Sequence, residues 1–578
     1  SPRRARELSA GSTVVSGTRD RTPSERVDVC VVGAGPAGAI VAHDLAERGH
    51  DVVVLEAGER FDREDRLDRM ERAIRPGHGP DSVWDMGGER DAYASTGERH
   101  YPLNRARVKG VGGSTLHWQG MVMRLHESDF ETRSRYGVAA DWPLSYDDLR
   151  PYYARAEAAL GVAGAEDNPF APPREAAYPM AAFPFSRSDR LFAAACAALG
   201  IETHSAPHAR NTETYDGRSG CLGFNTCIPV CPSGAKYSAD VHVRKAEAEG
   251  ARVIDRAPVQ RLEHGADPST LEAAAYRTPD GERHRQRAEQ FVVACGGVET
   301  PRLLLLSASQ AHPRGLANSS GAVGKYFMDH VTVTTRARLD RPVNTEPVAF
   351  ETSHSEQFYD HEEPSPGSVL LVFGNVDPTS PREAALRGGV GAEDGYRTTF
   401  ERDRWGDELL AEIDEAFAAD RVSIHAGVEM LPREENRVSL DADTTDAFGN
   451  PVPDVSLSVG EHARRTMDRA LEIHEAILDE MGAEVVAQTD PSDPNDLRWG
   501  WHHMGTTRMG TDPASSVVDP RLRAHDVGNL SVVSSGAFVT SGVAAPTLTI
   551  AALALRAAEH LDEDLRDRAA DWLEGEGE

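Results

Sequence analysis

VDVCVVGAGPAGAIVAHDLAERGHDVVVLEAG, residues 27–58, decides the fold. Residues 27–32 form an apolar run the length of one buried parallel strand. Glycines follow at 33, 35 and 38, residues 39–48 have a helical pattern, and Gly49-His50 turns the chain. Residues 51–55 then read as a second buried strand ending on Glu56. Each part has a physical task. Gly33 serves the tight turn, Gly35 lets backbone approach a pyrophosphate, and Gly38 lets the helix pack on the sheet. Free N–H groups at the helix start face the phosphates. Glu56 can accept hydrogen bonds from a ribose 2′-hydroxyl, which favours FAD or NAD over NADP. A lone GxGxxG carries little weight; strand, glycines, helix, strand and acid in register predict a dinucleotide site.

A chain of 578 residues can bury a large core, expected here as two domains sharing discontinuous segments. Its 62 basic and 93 acidic residues leave a net charge of −31, a surface that repels nucleic acid and anionic membranes. Only Lys109, Lys236, Lys245 and Lys325 are lysines, so arginine carries most positive charge. A GC-rich genome explains arginine over lysine but not the acid excess. The excess predicts a halophile of the haloarchaeal kind, whose salt screens charge within about 3 Å at 1 M. Residues 1–25 read as a flexible tail, and Arg3-Arg4 lacks the apolar run of an export signal. No stretch resembles a membrane span, since residues 539–558 are broken by Pro546 and Arg556. A cytoplasmic protein is expected.

RARVKGVGGSTLHWQG, residues 105–120, places glycines at 110, 112 and 113, where backbone must pass close to something flat or charged. WPLSYDDLRPYYARAEAALGV, residues 142–162, starts a helix reaching to about Leu160. With the nucleotide unit, these segments resemble the glucose–methanol–choline oxidoreductases. The resemblance implies an α/β fold: a Rossmann-like FAD-binding domain of discontinuous segments, and an α+β substrate domain with an antiparallel sheet covering the flavin. The expected division is a tail at 1–25, FAD-binding segments at 26–135, 245–330 and 497–565, and an acidic tail at 566–578. A cap segment falls at 136–244 and the substrate domain at 331–496. Within the family pattern, Ala57, Gly112, Gly113, Thr115, Val259, Gly536, Ala537, Pro546 and Thr547 are expected around the cofactor. His117 falls where some members attach the flavin covalently through histidine and others only line the pocket.

GCLGFNTCIPVCPSGAKYSA, residues 220–239, has the spacing C-x5-C-x3-C-P. Three thiolates in such a loop suit a metal. Zinc would need a fourth ligand, for which His242 is distant, and iron–sulfur clusters also use cysteines followed by proline. Spacing leaves zinc, a cluster and plain structural cysteines open. The resemblance to the sugar and sugar-acid dehydrogenase branch implies a [3Fe–4S] cluster on Cys221, Cys227 and Cys231. Such a cluster implies a dehydrogenase passing electrons to a small subunit, cytochrome or quinone, and a signal-bearing partner subunit could then export the chain. Cys30 and Cys295 lie in apolar runs and read as inert core thiols.

WHHMGTTRMG, residues 501–510, matches the family segment whose histidine precedes Gly-Thr by three, which selects His502. A neutral imidazole is suited to accept the hydroxyl proton as hydride leaves carbon. His503 is the lesser candidate, because adjacent side chains point apart. Family members place Asn or His 43 residues on, next to Pro-Thr; here that position is Ala545. Alanine cannot orient a hydroxyl. Either His502 works with water, another side chain substitutes, or turnover is weak. The reading is an FAD-dependent dehydrogenase of a sugar, sugar acid or polyol. Its rivals are an O2-using oxidase and a flavin-binding subunit with residual catalysis.

Overall fold

The computed structural model describes residues 20–62, 64–73, 79–343, 351–360, 367–374, 406–408, 410–411 and 420–575. The elements that build the site follow in chain order. They are β1 (Val27–Val32), α1 (Pro36–Glu47), β2 (Val52–Leu55), α2 (Tyr146–Leu160), β3 (His204–Ser205), β4 (Arg252–Ile254), β5 (Val259–His264), β6 (Leu271–Arg277), β7 (Arg283–Val293) and α3 (Gly296–Leu306). After them come β8 (Val331–Arg338), β9 (Glu351–Ser355), β10 (Val369–Gly374), β11 (Arg421–Val428), α4 (Glu461–Glu480), β12 (Glu484–Gln488), β13 (Arg498–Trp499), β14 (Leu530–Val532) and α5 (Thr547–Gly575).

The first sheet runs β4-β2-β1-β7-β6-β5, with β14 also pairing β7. Strands β4, β2, β1, β7 and β14 are parallel, whereas β7, β6 and β5 pair antiparallel. β2 is buried along its whole length, and of β1 all but Asp28 is buried. Parallel strands covered on both faces read as continuous apolar runs for this reason. α1 packs against α5, and α5 against α2, so the two ends of the chain close over one core.

The second sheet, β12-β8-β11-β10-β9-β3 with β13 on β8, is antiparallel throughout. The two-residue period of its strands divides labour between its faces. Val331, Val333, Val369, Leu371, Phe373, Ile424 and Ala426 share a core with Met467, Ala470 and Ile477 of α4. Their neighbours Thr332, Leu370, Val372, His425 and Gly427 point the other way and line a cavity between the sheets. The architecture is thus a mixed α/β fold with a Rossmann-like sheet and an antiparallel one.

Of the expected N-terminal tail, residues 1–19 lie outside the described residues. Residues 20–25 run against the first sheet: Arg21 pairs with Asp255 at 3.0 Å and the Ser24 N–H donates to Gln286. At the other end, residues 566–575 continue α5. Among the described residues no helix is long and apolar enough to cross a membrane.

Candidate active site

The cavity between the sheets measures about 1080 Å³ and draws its walls from segments spread between Val32 and Ile550. At one end stands the β1–α1 turn. Gly33 has φ +102°, and a Cβ there would lie 2.7 Å from the Ala294 carbonyl oxygen. A Cβ on Gly38 would lie 2.0 Å from the Gly33 oxygen, so both positions demand glycine for close packing. Gly35 differs: its missing Cβ faces open space at the cavity wall. Gly35 also caps α1 without a side chain, leaving the first N–H groups of the helix open. Glu56 is buried at the tip of β2; Oε2 accepts the Ala34 N–H and Oε1 the Gly58 N–H, both at 2.8 Å. Burial pushes its pKa up against those hydrogen bonds. Its remaining lone pairs are available to a ligand hydroxyl.

Ala57, Gly113, Thr115, His117, Val259, Pro546 and Thr547 also line the cavity. Gly112 (φ +115°), Gly38, Gly536 and Ala537 stand behind it and set the approach of neighbouring elements. A Cβ on Gly113 would sit 2.8 Å from Gly35 Cα, so this loop rides directly on the β1–α1 turn. Thr115 Oγ1 accepts the Ala239 N–H at 2.9 Å. His117 is buried; burial, then the charges of Lys236 and His503, push its pKa down to about 3. Its Nδ1 has no partner among the described residues.

At the other end, Trp501 takes a left-handed backbone conformation (φ +64°) and delivers His502 and His503 to the wall. The two rings diverge. His503 lies by Tyr101 and Phe327, at ring distances of 5.6 and 5.9 Å, and burial pushes it down to about 3. His502 instead meets His330: their Nδ1 atoms are 2.9 Å apart. Asp329 Oδ1 accepts the backbone N–H groups of both His330 and His502 at 2.7 Å, and Tyr101 donates to Oδ2 at 2.5 Å. Burial pushes Asp329 up to about 6 and His330 down to about 4, and it holds His502 well below the ordinary imidazole range. Ala545 is buried at the wall beside Pro546. His330 and Asp329 escape a reading of the sequence, because Met328-Asp329-His330 precedes β8 as an unremarkable triplet 172 residues before His502.

Two models described as GMC oxidoreductase match residues 92–332 and 432–554, and a model of an NAD(P)-binding Rossmann-like domain matches residues 31–62. The large subunit of a fructose dehydrogenase from Gluconobacter japonicus is 33% identical, over 93% of this chain and 98% of that protein. The chain belongs to the GMC oxidoreductases. A 2-methyl-1,2-propanediol dehydrogenase from Mycolicibacterium austroafricanum is 31% identical over 94% of this chain and 97% of its own. Among solved structures, a formate oxidase of Aspergillus oryzae, studied for modification of its FAD, superposes with TM-score 0.64 at 17% identity. That match covers 94% of this chain and all of the oxidase.

The cavity of this GMC oxidoreductase fits the family's FAD. Space stands where a Gly35 Cβ would be, α1 presents uncapped N–H groups, and buried Nδ1 of His117 and Nε2 of His503 lack partners among the described residues.

The cysteine loop does not fit its expected cluster. Cys221 packs towards Met180 and Phe183, Cys227 Sγ lies 3.6 Å from Arg210 Nη1, and Cys231 Sγ accepts the Lys236 N–H at 3.5 Å. His242, the candidate fourth ligand, spends Nδ1 on Tyr237 at 2.8 Å. Among the described residues no three His, Cys, Asp or Glu side chains are grouped to hold a metal. The [3Fe–4S] assignment to Cys221, Cys227 and Cys231, and the electron path through it, are thus not supported by the arrangement of the described residues.

Proposed function

We propose that this GMC oxidoreductase is a dehydrogenase that oxidises the CH–OH group of a sugar, sugar acid or polyol. The observation that carries the reading is His502, whose ring borders the cavity and whose Nε2 makes no hydrogen bond among the described residues. FAD, when bound, supplies the hydride acceptor. The chain supplies the rest. His502 is neutral because burial disfavours its cation, so it is ready to take the hydroxyl proton, a contribution of about 10²–10⁴ in rate. Thr332, His425, Gln119 and Glu351 place polar groups on the cavity wall, the pattern that orients a substrate bearing several hydroxyls. Gly33, Gly35, Gly38 and Glu56 are the proposed cradle of the cofactor's phosphates and ribose.

Electrons are proposed to leave to a separate small subunit, cytochrome or quinone, supported by the relative that is itself a large subunit. The acid excess supports a high-salt setting. The test is anaerobic titration of the holoprotein with D-fructose, D-gluconate and 2-methyl-1,2-propanediol. Flavin bleaching by a polyol, followed by faster reoxidation with a quinone than with O2, is expected. Failure of all three compounds to bleach the flavin overturns the substrate class. Faster reoxidation by O2 favours an oxidase instead.

A further inference from the structure

We infer that His330 is a positioning residue for this reaction: by accepting a hydrogen bond from His502 it holds His502 in the tautomer whose bare Nε2 meets the substrate hydroxyl. The inference rests on the proposed reaction only for its kinetic consequences.

Two Nδ1 atoms 2.9 Å apart need one hydrogen between them. His330 Nε2 lies 3.4 Å from the Ser541 carbonyl oxygen, and a carbonyl can only accept. Nε2 of His330 therefore carries its hydrogen. A neutral imidazole has one N–H, so Nδ1 of His330 is bare and must be the acceptor. The hydrogen between the rings belongs to His502 Nδ1, which leaves His502 Nε2 bare. The neighbouring backbone is pinned on both sides. Asp329 Oδ1 binds the N–H groups of both histidines, and Ser541 Oγ is held between the Met430 N–H at 3.2 Å and the Met430 oxygen at 2.9 Å. The methyl group of Ala545 on the same wall cannot orient the ring in this way, since it neither donates nor accepts.

The step balances. The O–H proton of the carbinol passes to His502 Nε2 as the C=O bond forms, and the electron pair of the breaking C–H bond would leave as hydride to FAD, were it bound in the cavity. The imidazolium keeps its Nδ1–H on His330, so no second proton has to move. Charged or titratable groups facing the pair are His503 and Asp329 beside His502, and Glu429 near His330.

The experiment has two arms. Two-bond ¹H–¹⁵N correlation spectra of ¹⁵N-histidine-labelled holoprotein, assigned with His502→Gln and His330→Asn, read the tautomers without any substrate. Protonated Nδ1 at His502 and protonated Nε2 at His330 are expected; protonated Nε2 at His502 overturns the inference. The second arm measures anaerobic flavin reduction by whichever of the three compounds bleaches the flavin. His330→Leu should slow reduction about 10- to 100-fold at unchanged KM and shift the acid limb of the pH profile to lower pH. His330→Asn, whose oxygen can replace the Nδ1 acceptor, should recover much of the rate. An unmoved rate and limb in a folded, FAD-loaded His330→Leu also overturn it. If no compound bleaches the flavin, the substrate reading fails, and the spectra alone still decide the tautomer.

Discussion

At position 545 a methyl group occupies the wall where the family pattern calls for a side chain that can hydrogen-bond. Ala545 is buried and lines the same cavity as His502. Ala545→Asn should add a second polar contact to the substrate oxygen. A hydrogen bond to a group developing charge contributes about 1.5–3 kcal/mol, so anaerobic flavin reduction should quicken by about ten- to a hundredfold. His502→Ala should cost about 10²–10⁴ in the same stopped-flow measurement. A loss from both substitutions would mean that alanine makes room for a bulkier substrate. No loss from His502→Ala would remove the base assignment. A second residue-scale prediction concerns His117, whose ring is neutral, buried and unpartnered at Nδ1. If it bonds the flavin, acid precipitation should leave the yellow colour on the protein and His117→Ala should release it. Free FAD in the supernatant of unmutated protein would make His117 a neighbour only.

Among the elements, the short helix at residues 127–130 is anchored by a charged cluster that reaches the start of α5. His126 stacks on Tyr359 at 3.6 Å, with Nε2 3.1 Å from Glu356 and Nδ1 3.6 Å from Asp360. Tyr359 donates to Asp129 at 2.7 Å and accepts the Val543 and Ala544 N–H groups, directly before Ala545 of the cavity wall. Burial pulls the His126 pKa down, but hydrogen bonds to Asp360 and Glu356 and the nearby negative charges outweigh it and hold it at about 10. Burial likewise raises Glu356, and His126 outweighs that, leaving it below its usual range. Protonated His126 therefore stabilises the fold fully below its unfolded value of 6.5, and that contribution disappears as pH rises towards 10. Ionised Glu356 stabilises above its unfolded value of 4.5, and its contribution is lost as pH falls through the depressed folded value. Asp129, pushed by burial to about 7, opposes folding as it ionises in both the wild type and a His126 variant. His126→Gln should cost about 3–5 kcal/mol in urea unfolding near pH 6. The deficit should shrink steadily between pH 6.5 and 10; a deficit independent of pH would contradict a charged His126.

At the scale of the molecule, two sheets with separate cores enclose one cavity, and the surface carries a net charge of −31. Self-repulsion of that size falls as salt shortens the screening length from about 10 Å at 0.1 M to about 3 Å at 1 M. The melting temperature should therefore rise between about 0.1 and 2 M KCl. A flat or falling trend would mean that the surface charges are already compensated at low salt. The charge that is buried behaves differently: Arg124 and Arg174 both clasp Glu157, at 2.9 and 2.6 Å, and such a clasp is little affected by salt.

Residues 27–58 declared their own structure because the information is local. A strand's apolar run, a helix's glycine-marked start and an acid at the next strand's tip are all set by near neighbours, and β1, α1 and β2 stand within three residues of the expected bounds. Helix α2 likewise ends at Leu160, where the sequence placed its end. The pairing of β7 with β14, and the return of α5 onto α1, join segments separated by hundreds of residues, and no local pattern encodes that contact. The site divides along the same line. His502 and the alanine at 545 could be located by counting along a motif. His330 could not, because its role depends on a 2.9 Å approach made only when Asp329 gathers both backbones. The cysteines show the converse. Spacing of 221, 227 and 231 allows convergence on a metal, but only the tertiary surroundings place each thiol: Cys227 stands beside Arg210, Cys231 accepts the Lys236 N–H, and Cys221 packs on an apolar cluster.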